Sequence, residues 1–379
     1  MARYFSTVTS KSTFNSRFKA ENGKTFAELQ EVAASSWERP HLLACRVMRQ
    51  KEQANTLPIL SQDAAIPSLQ SLPNEIKAFL QGPDPTFMKK SEHFLVRSSS
   101  CVSLAHIWAA MARFYGTSDR RTQELQDQNE SDNHTEERPL KRLRQGISQP
   151  DFTEVQVGSS PAPSQASSQA PSVGYIDPKT YDMCTAPEGI TLRLASCVIR
   201  HILFFAPPQD SASNSVVVEF RDPKLRLAPK SPISGQHIVA IDDGGLCLRQ
   251  KASDGKFVLA KSHIAILEAK AQFQCLENGQ PIISDNCLAQ MVREALAVRL
   301  SDLTDKSRRI VIVIKSTQHY MCLLQMDLSD DYILDFDSTT PSHMLNVIST
   351  PWFDLTQKSG REHVLANLIG IMHRGANPA

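Results

Sequence analysis

Beyond residue 179 the apolar positions fall into two alternating patterns. From Ile190 to Phe205 they recur at helical spacing, and Pro207-Pro208 ends the run. Strand-like runs follow at 215–221, at 237–250 with a turn at Asp243-Gly244-Gly245, and at 257–271. The spacing then predicts a helix over 285–300. Strands resume at Arg309–Lys315, His319–Asp327 and Tyr332–Phe336, and a last helix covers 361–373. The order αβββαβ, with short connections, predicts an α/β domain over 179–379, a mixed sheet flanked by helices.

Residues 1–116 carry a patchier signal. Thr25–Ala34 reads as an amphipathic helix, Ser71–Leu80 as a short capped one, and Val102–Tyr115 as the best helix of the region, with Trp108 and Phe114 as core candidates. A loosely packed, mostly helical region of unassigned role is expected, able to dock on the C-terminal domain. Residues 117–178 differ in kind. They are rich in Ser, Pro and Gln, as in Ser159–Ser172, and hold too little apolar surface to offset the entropy of ordering them. A disordered linker is expected there. Inside it, Arg138-Pro-Leu-Lys-Arg-Leu-Arg144 resembles a nuclear-localisation signal. The first residues, with Ser, Thr, Arg and Lys and no acid before Glu21, partly match a mitochondrial presequence, so mitochondrion and cytoplasm stand as alternatives to the nucleus.

Composition narrows the classes. With 379 residues, 41% of them hydrophobic, the chain can bury one sizeable core or two modest ones. No run approaches the ~18 apolar residues of a membrane span, so a membrane partner is not expected. The eight cysteines form no Cys-x-x-Cys pair and read as reduced, core-filling thiols. Net charge is only +1. Residues 1–115 hold 14 Lys and Arg against 9 Asp and Glu, a surplus of five, which makes that region the better candidate for non-specific polyanion contact.

Candidate chemistry centres on Ile241-Asp-Asp-Gly-Gly-Leu246 and His263-Ile-Ala-Ile-Leu-Glu-Ala-Lys270. Along a strand, Ile264, Ile266, Glu268 and Lys270 share one face, apolar first and charged over its last two positions. A carboxylate and an ammonium at the end of a buried strand are costly without a compensating partner. A hard divalent cation, Mg²⁺ or Mn²⁺, held by Asp243, Glu268 and the carbonyl of Ala269, would compensate them. Lys270 would then orient or deprotonate an attacking water and stabilise charge on a phosphate. The bare backbone at Gly244 and Gly245 would let a nucleic-acid backbone come close.

These residues resemble the Asp-x(n)-Glu-x-Lys signature of the PD-(D/E)XK nuclease superfamily. Within it the chain is most similar to fungal nuclease-like proteins of uncharacterised activity that carry an Asp-Gly-Gly-Leu turn and a Glu-Ala-Lys strand. The resemblance spans about residues 185–375 and implies a restriction-endonuclease-like core hydrolysing phosphodiester bonds in nucleic acid, DNA before RNA. It also places Gln290, on the helix Ser284–Ala297, where several members carry a helical glutamine. The position before the motif aspartate is Asp242 rather than proline. For a first-helix acid the candidates are Glu188 and Glu219.

Plainer readings compete. Asp242–Gly245 can be an ordinary hairpin turn and Glu268–Lys270 an edge-strand surface pair. Gln290 and Glu294, four apart on one helix face beside Arg293, can face the metal site and contact phosphate or the leaving strand, Gln290 with a catalytic role, or can be a solvated helix stripe. Lys315 and Gln318, after the strand Ile310–Ile314, can line the same cleft, with strand-end solubility as the plainer account. Cys287, His319 and Asp337 follow the chain order of a papain-like cysteine hydrolase, with a helix N-terminus to lower the thiol pKa. His319-Tyr320 with Asp337-Ser338 is also similar to the ubiquitin-like-protein proteases, but those need a cysteine after the aspartate, and the last here is Cys322. A nuclease fold kept as a nucleic-acid-binding module without turnover is the third class.

Overall fold

Runs of β-branched and leucine residues build the centre of the molecule. The computed structural model describes residues 3–30, 32, 36–50, 53–62, 70–115, 188–271, 273, 276–277 and 280–376. The expected linker at 117–178, with its basic motif at 138–144, lies outside them. The strands are β1 (Val47–Arg49), β2 (Val216–Arg221), β3 (Arg226–Leu227), β4 (Ala240–Ile241), β5 (Gly245–Lys251), β6 (Phe257–Lys270), β7 (Leu276–Glu277), β8 (Gln280–Pro281), β9 (Ile310–Thr317), β10 (Tyr320–Asp327), β11 (Leu345–Ser349) and β12 (Phe353–Asp354). Eight of them form one mixed sheet in the order β1-β11-β10-β9-β6-β5-β2, with β12 on β10. Two pairs are parallel, β1 with β11 and β6 with β9.

Helices cover both faces. In chain order they are α1 (Tyr4–Thr7), α2 (Lys11–Ala20), α3 (Arg39–Ala44), α4 (Asn74–Gln81), α5 (Glu92–Ser98), α6 (Val102–Tyr115), α7 (Glu188–Phe205), α8 (Asp285–Ser301), α9 (Asp330–Ile333) and α10 (Lys358–Ala376). Side chains alternate along the strands, so the sheet has two cores. Leu267, Ile312, Ile314 and Leu323 join the core that includes residues of α4, α6, α7 and α10. Ile266, Val313, Leu324 and Val347 join the one that includes residues of α1, α3 and α8. No helix among the described residues is long and apolar enough to cross a membrane. The result is mixed α/β, as the patterning predicts.

The N-terminal region differs from the expectation of loose packing. It adds β1 to the sheet, and Tyr4, Phe14, Leu42, Leu60, Phe79 and Phe114 are buried. Polar contacts tie it down as well: Tyr4 N–H and the Arg39 guanidinium both donate to Asp285 at the start of α8. Leu57 N–H donates to Asn367 of α10 at 3.1 Å.

Three predicted elements change. Over 25–34 the described residues form a 3-10 turn at Phe26–Glu28, because Glu28 folds back onto Thr25 and Leu29 is already extended. Residues 332–336 are not a strand. Ser329 caps Tyr332 N–H and two aspartates occupy the first turn, so α9 forms instead. The run 237–250 splits: β4 pairs with β3 outside the main sheet, and only β5 enters it.

Candidate functional site

β6 lies between β5 and β9, an interior strand. Glu268 on it is fully buried, which overturns the reading of Glu268–Lys270 as an edge-strand surface pair. Glu268 sits opposite Lys315 in the parallel register, and both point to the α8 face. The Lys270 ammonium lies 2.8 Å from Glu268 Oε1. Even so, neither carboxylate oxygen of Glu268 has a well-formed hydrogen bond among the described residues.

Asp243 reaches the same strand from the turn before β5. Its N–H donates to Leu267 O at 3.2 Å, and Leu267 N–H donates to Gly244 O at 3.0 Å. The carboxylate then accepts from Ala269 N–H at 3.1 Å and from Lys224 at 2.7 Å. An extended residue turns its N–H and C=O to the same edge, so the Ala269 carbonyl shares the Asp243 side. The two glycines serve this approach and not an open groove. A Cβ on Gly245 would lie 2.4 Å from Ala265 O, and one on Gly244, at φ +135°, would lie 2.9 Å from Arg221 O. The space expected for a nucleic-acid backbone is filled by the chain's own backbone. Nor is this a hairpin turn, since β4 and β5 belong to different sheets.

Asp242 has a structural task. Arg221 holds it with two hydrogen bonds of 3.1 and 2.6 Å, and Leu225 N–H adds a third at 2.9 Å. Burial pushes its carboxyl up, but bonds from His263, Arg221 and Leu225 more than offset this and leave it depressed.

The inner groups are strongly perturbed. Burial raises the Glu268 carboxyl, with Lys315 and Lys270 opposing and Asp243 adding to the rise. Burial pulls the Lys270 ammonium down, yet Glu268, then Glu188 and Asp243, more than compensate, so it stays protonated. Across the interface Glu294 is raised well above the ordinary range, first by burial and then by the charge of Glu268. Gln290 donates to Glu294 Oε1 at 3.0 Å, while Oε2 is buried without a partner among the described residues. Glu294 and Arg293 are therefore interior groups and not part of a solvated stripe.

The acid from the first helix of the 179–379 segment is Glu188. It lies at the start of α7 with Oε2 3.9 Å from Lys270. Glu219 is bound instead to Arg249 on the far β2–β5 pair. Lys315 and Gln318 are 2% and 1% exposed, which removes the solubility reading for both. Lys224 and Lys315 belong to the site although the motif does not include them. A lysine after five consecutive β-branched residues was the available signal for Lys315; Lys224 had none, because only the loop path brings it to Asp243.

Cys287, His319 and Asp337 do not assemble a hydrolase triad. Cys287 is buried and its thiol is raised by burial, the wrong direction for a nucleophile. His319 Nε2 lies 3.6 Å from Asp354. Asp337 caps a loop by accepting from Ile233 and Ser234 N–H.

A group of three or more His, Cys, Asp or Glu side chains placed to hold a metal is absent among the described residues. The expected set has two carboxylates and one carbonyl, and it fits a hard cation in another respect. Of its two carboxylates, Glu268 is buried, its ionised form is penalised by burial and its Oε2 has no hydrogen-bond partner among the described residues, which a divalent ion would satisfy. No protein-family model, curated protein or solved structure matches the chain.

Proposed function

We propose that this protein is a metal-dependent phosphodiesterase acting on nucleic acid, with a restriction-endonuclease-like core of the PD-(D/E)XK kind. The observation that supports it best is Glu268: a buried carboxylate on an interior strand, Oε1 ion-paired with Lys270 at 2.8 Å, Oε2 without a hydrogen-bond partner among the described residues, and Asp243 beside it anchored on Ala269 N–H. Asp243, Glu268 and the Ala269 carbonyl would hold Mg²⁺ or Mn²⁺. The ion would supply Lewis acidity at the phosphate and a more acidic bound water. Lys270, held protonated by its acidic neighbours, would orient the attacking water and stabilise the charge gathering on the phosphate oxygens, rather than act as a base. Gln290 would position Glu294 behind the site. DNA is the substrate favoured over RNA, and nuclear import through Arg138–Arg144 belongs to the same proposal.

One observation favours a second reading, a nucleic-acid-binding module without turnover. Asp243 is ion-paired to Lys224 and Glu268 to Lys270, so lysines already neutralise much of the charge a metal would meet. One set of assays separates the two. The full chain should cut DNA or RNA with Mg²⁺ or Mn²⁺, stop with EDTA, and lose cutting as Glu268→Gln or Lys270→Ala. A binding module would shift oligonucleotides in a gel, release them as salt rises, and never cleave. Cleavage surviving Glu268→Gln would sink the nuclease assignment.

A further inference from the structure

A second polar feature lies at the other end of β6. The parallel ladder of β6 and β9 runs from Ile266 and Val313 to Lys270 and Thr317, while both strands extend further toward their N-termini. Where the ladder stops, a cavity of about 200 Å³ is lined by both strands, the turn Lys306–Arg309 and the end of α10. Lys261 and Glu268 are seven residues apart, roughly 20 Å along a strand, so this is not the carboxylate site.

The lining includes Lys261, Lys306, Arg308, Arg309 and Arg374, and no carboxylate. Three of these cations are compensated from outside the cavity. Lys261 donates to Ser307 Oγ at 2.9 Å with Asp305 at 3.8 Å, Arg308 lies 3.4 Å from Asp305, and Arg309 pairs with Asp330. The other two have no acidic partner among the described residues. Arg374 is partly buried and donates to Ser307 O at 3.3 Å. Lys306 is exposed at the rim. A desolvated guanidinium facing only a carbonyl is a costly arrangement that an oxyanion would relieve. The same lining also carries an aliphatic part, with Ile264, Ile266, Val298 and Val311.

We infer that this cavity binds a small phosphomonoester, its phosphate on Arg374 and Lys306 and its carbon skeleton against the aliphatic part of the lining. Arginine's fork matches phosphate geometry, and the volume is below the ~300 Å³ at which drug-sized pockets begin, so the skeleton is compact, of sugar size. This site stands independently of the nuclease reading.

The test is calorimetric titration of the full chain with ribose 5-phosphate, inorganic phosphate, ribose and a short oligonucleotide. Ribose 5-phosphate should bind one to one, ribose should give no heat, and inorganic phosphate should bind at least tenfold more weakly. Arg374→Gln and Lys306→Gln should each weaken binding about tenfold, and Lys270→Ala should leave it unchanged. Lys306 is exposed, so its variant tests the site even if Arg374→Gln fails to fold. The inference is overturned if ribose 5-phosphate gives no saturable heat, or if inorganic phosphate binds as tightly. It is equally overturned if Lys306→Gln leaves affinity within twofold, or if the oligonucleotide competes for the same residues.

Discussion

Glu268 and Lys315 face each other across the parallel β6–β9 pair, 0% and 2% exposed, on the face that α8 covers. The Lys315 ammonium has no well-formed hydrogen bond among the described residues, so its contribution is electrostatic, holding down a carboxyl that burial raises. Lys315→Met should destabilise the protein by about 3–5 kcal/mol, because it strands part of a buried charge. Glu268→Gln with Lys315→Met should recover much of that loss. Urea unfolding of the two singles and the double measures the coupling. A double variant whose loss equals the sum of the two single losses would show that the two do not act as a pair.

Glu188 and Glu219 were equal candidates in the sequence and are unequal in space. Under the nuclease proposal, Glu188→Gln should slow cleavage at least tenfold, since it removes an acidic neighbour of Lys270. Glu219→Gln, which breaks an ion pair with Arg249 on the outer strands, should change it less than twofold. Single-turnover cleavage at fixed Mn²⁺ reads the contrast.

Two alanine substitutions separate tight packing from simple backbone freedom. Gly245→Ala places a methyl 2.4 Å from Ala265 O in the β5–β6 pair and should cost several kcal/mol, roughly the upper range for point substitutions. Gly235→Ala sits at φ +68° with open space around it and should cost only about 1 kcal/mol. Thermal unfolding of both, side by side, checks the ranking.

His201 makes stability depend on pH. It is buried, accepts from Ser103 at Nδ1 and donates to Glu75 O from Nε2, which ties α7 to α6 and α4 as a neutral imidazole. Burial lowers its pKa from 6.5 to about 4. The unfolded chain then binds more protons than the folded one between those values. Stability from this group is complete above about pH 6.5 and is lost as pH falls toward 4, in all on the order of 3 kcal/mol. His201→Phe should flatten that part of the profile in urea titrations at pH 4.5 to 7.5.

Cys287 should be inert in the native protein. Its thiol is buried and raised, so iodoacetamide at pH 7.5 should leave it unlabelled until urea unfolds the chain, as mass spectrometry of the peptide would show. Rapid native labelling would reopen the cysteine-hydrolase reading.

Periodicity alone was enough for α6, α7, α8, α10, β6, β9 and β10, because each carries a long, unbroken apolar pattern that local sterics and burial both favour. The Glu268-Ala269-Lys270 strand end and the Asp243 turn were legible for the same reason: strand alternation places Glu268 and Lys270 on one face. Tertiary structure decided the rest. β1 is only three residues long, with no pattern of its own, and exists because β11 supplies its hydrogen-bond partners. Residues 332–336 look apolar enough for a strand, yet the Ser329 cap and the packing of Tyr332 and Phe336 select a helix and turn. Whether Glu268 faced solvent or the interior depended on which strands flank β6, a pairing between segments more than forty residues apart. Lys224, Glu188 and Lys315 joined the site through loop path, helix docking and strand register. Each is a long-range relation, whereas a pattern read along the chain reports only on near neighbours.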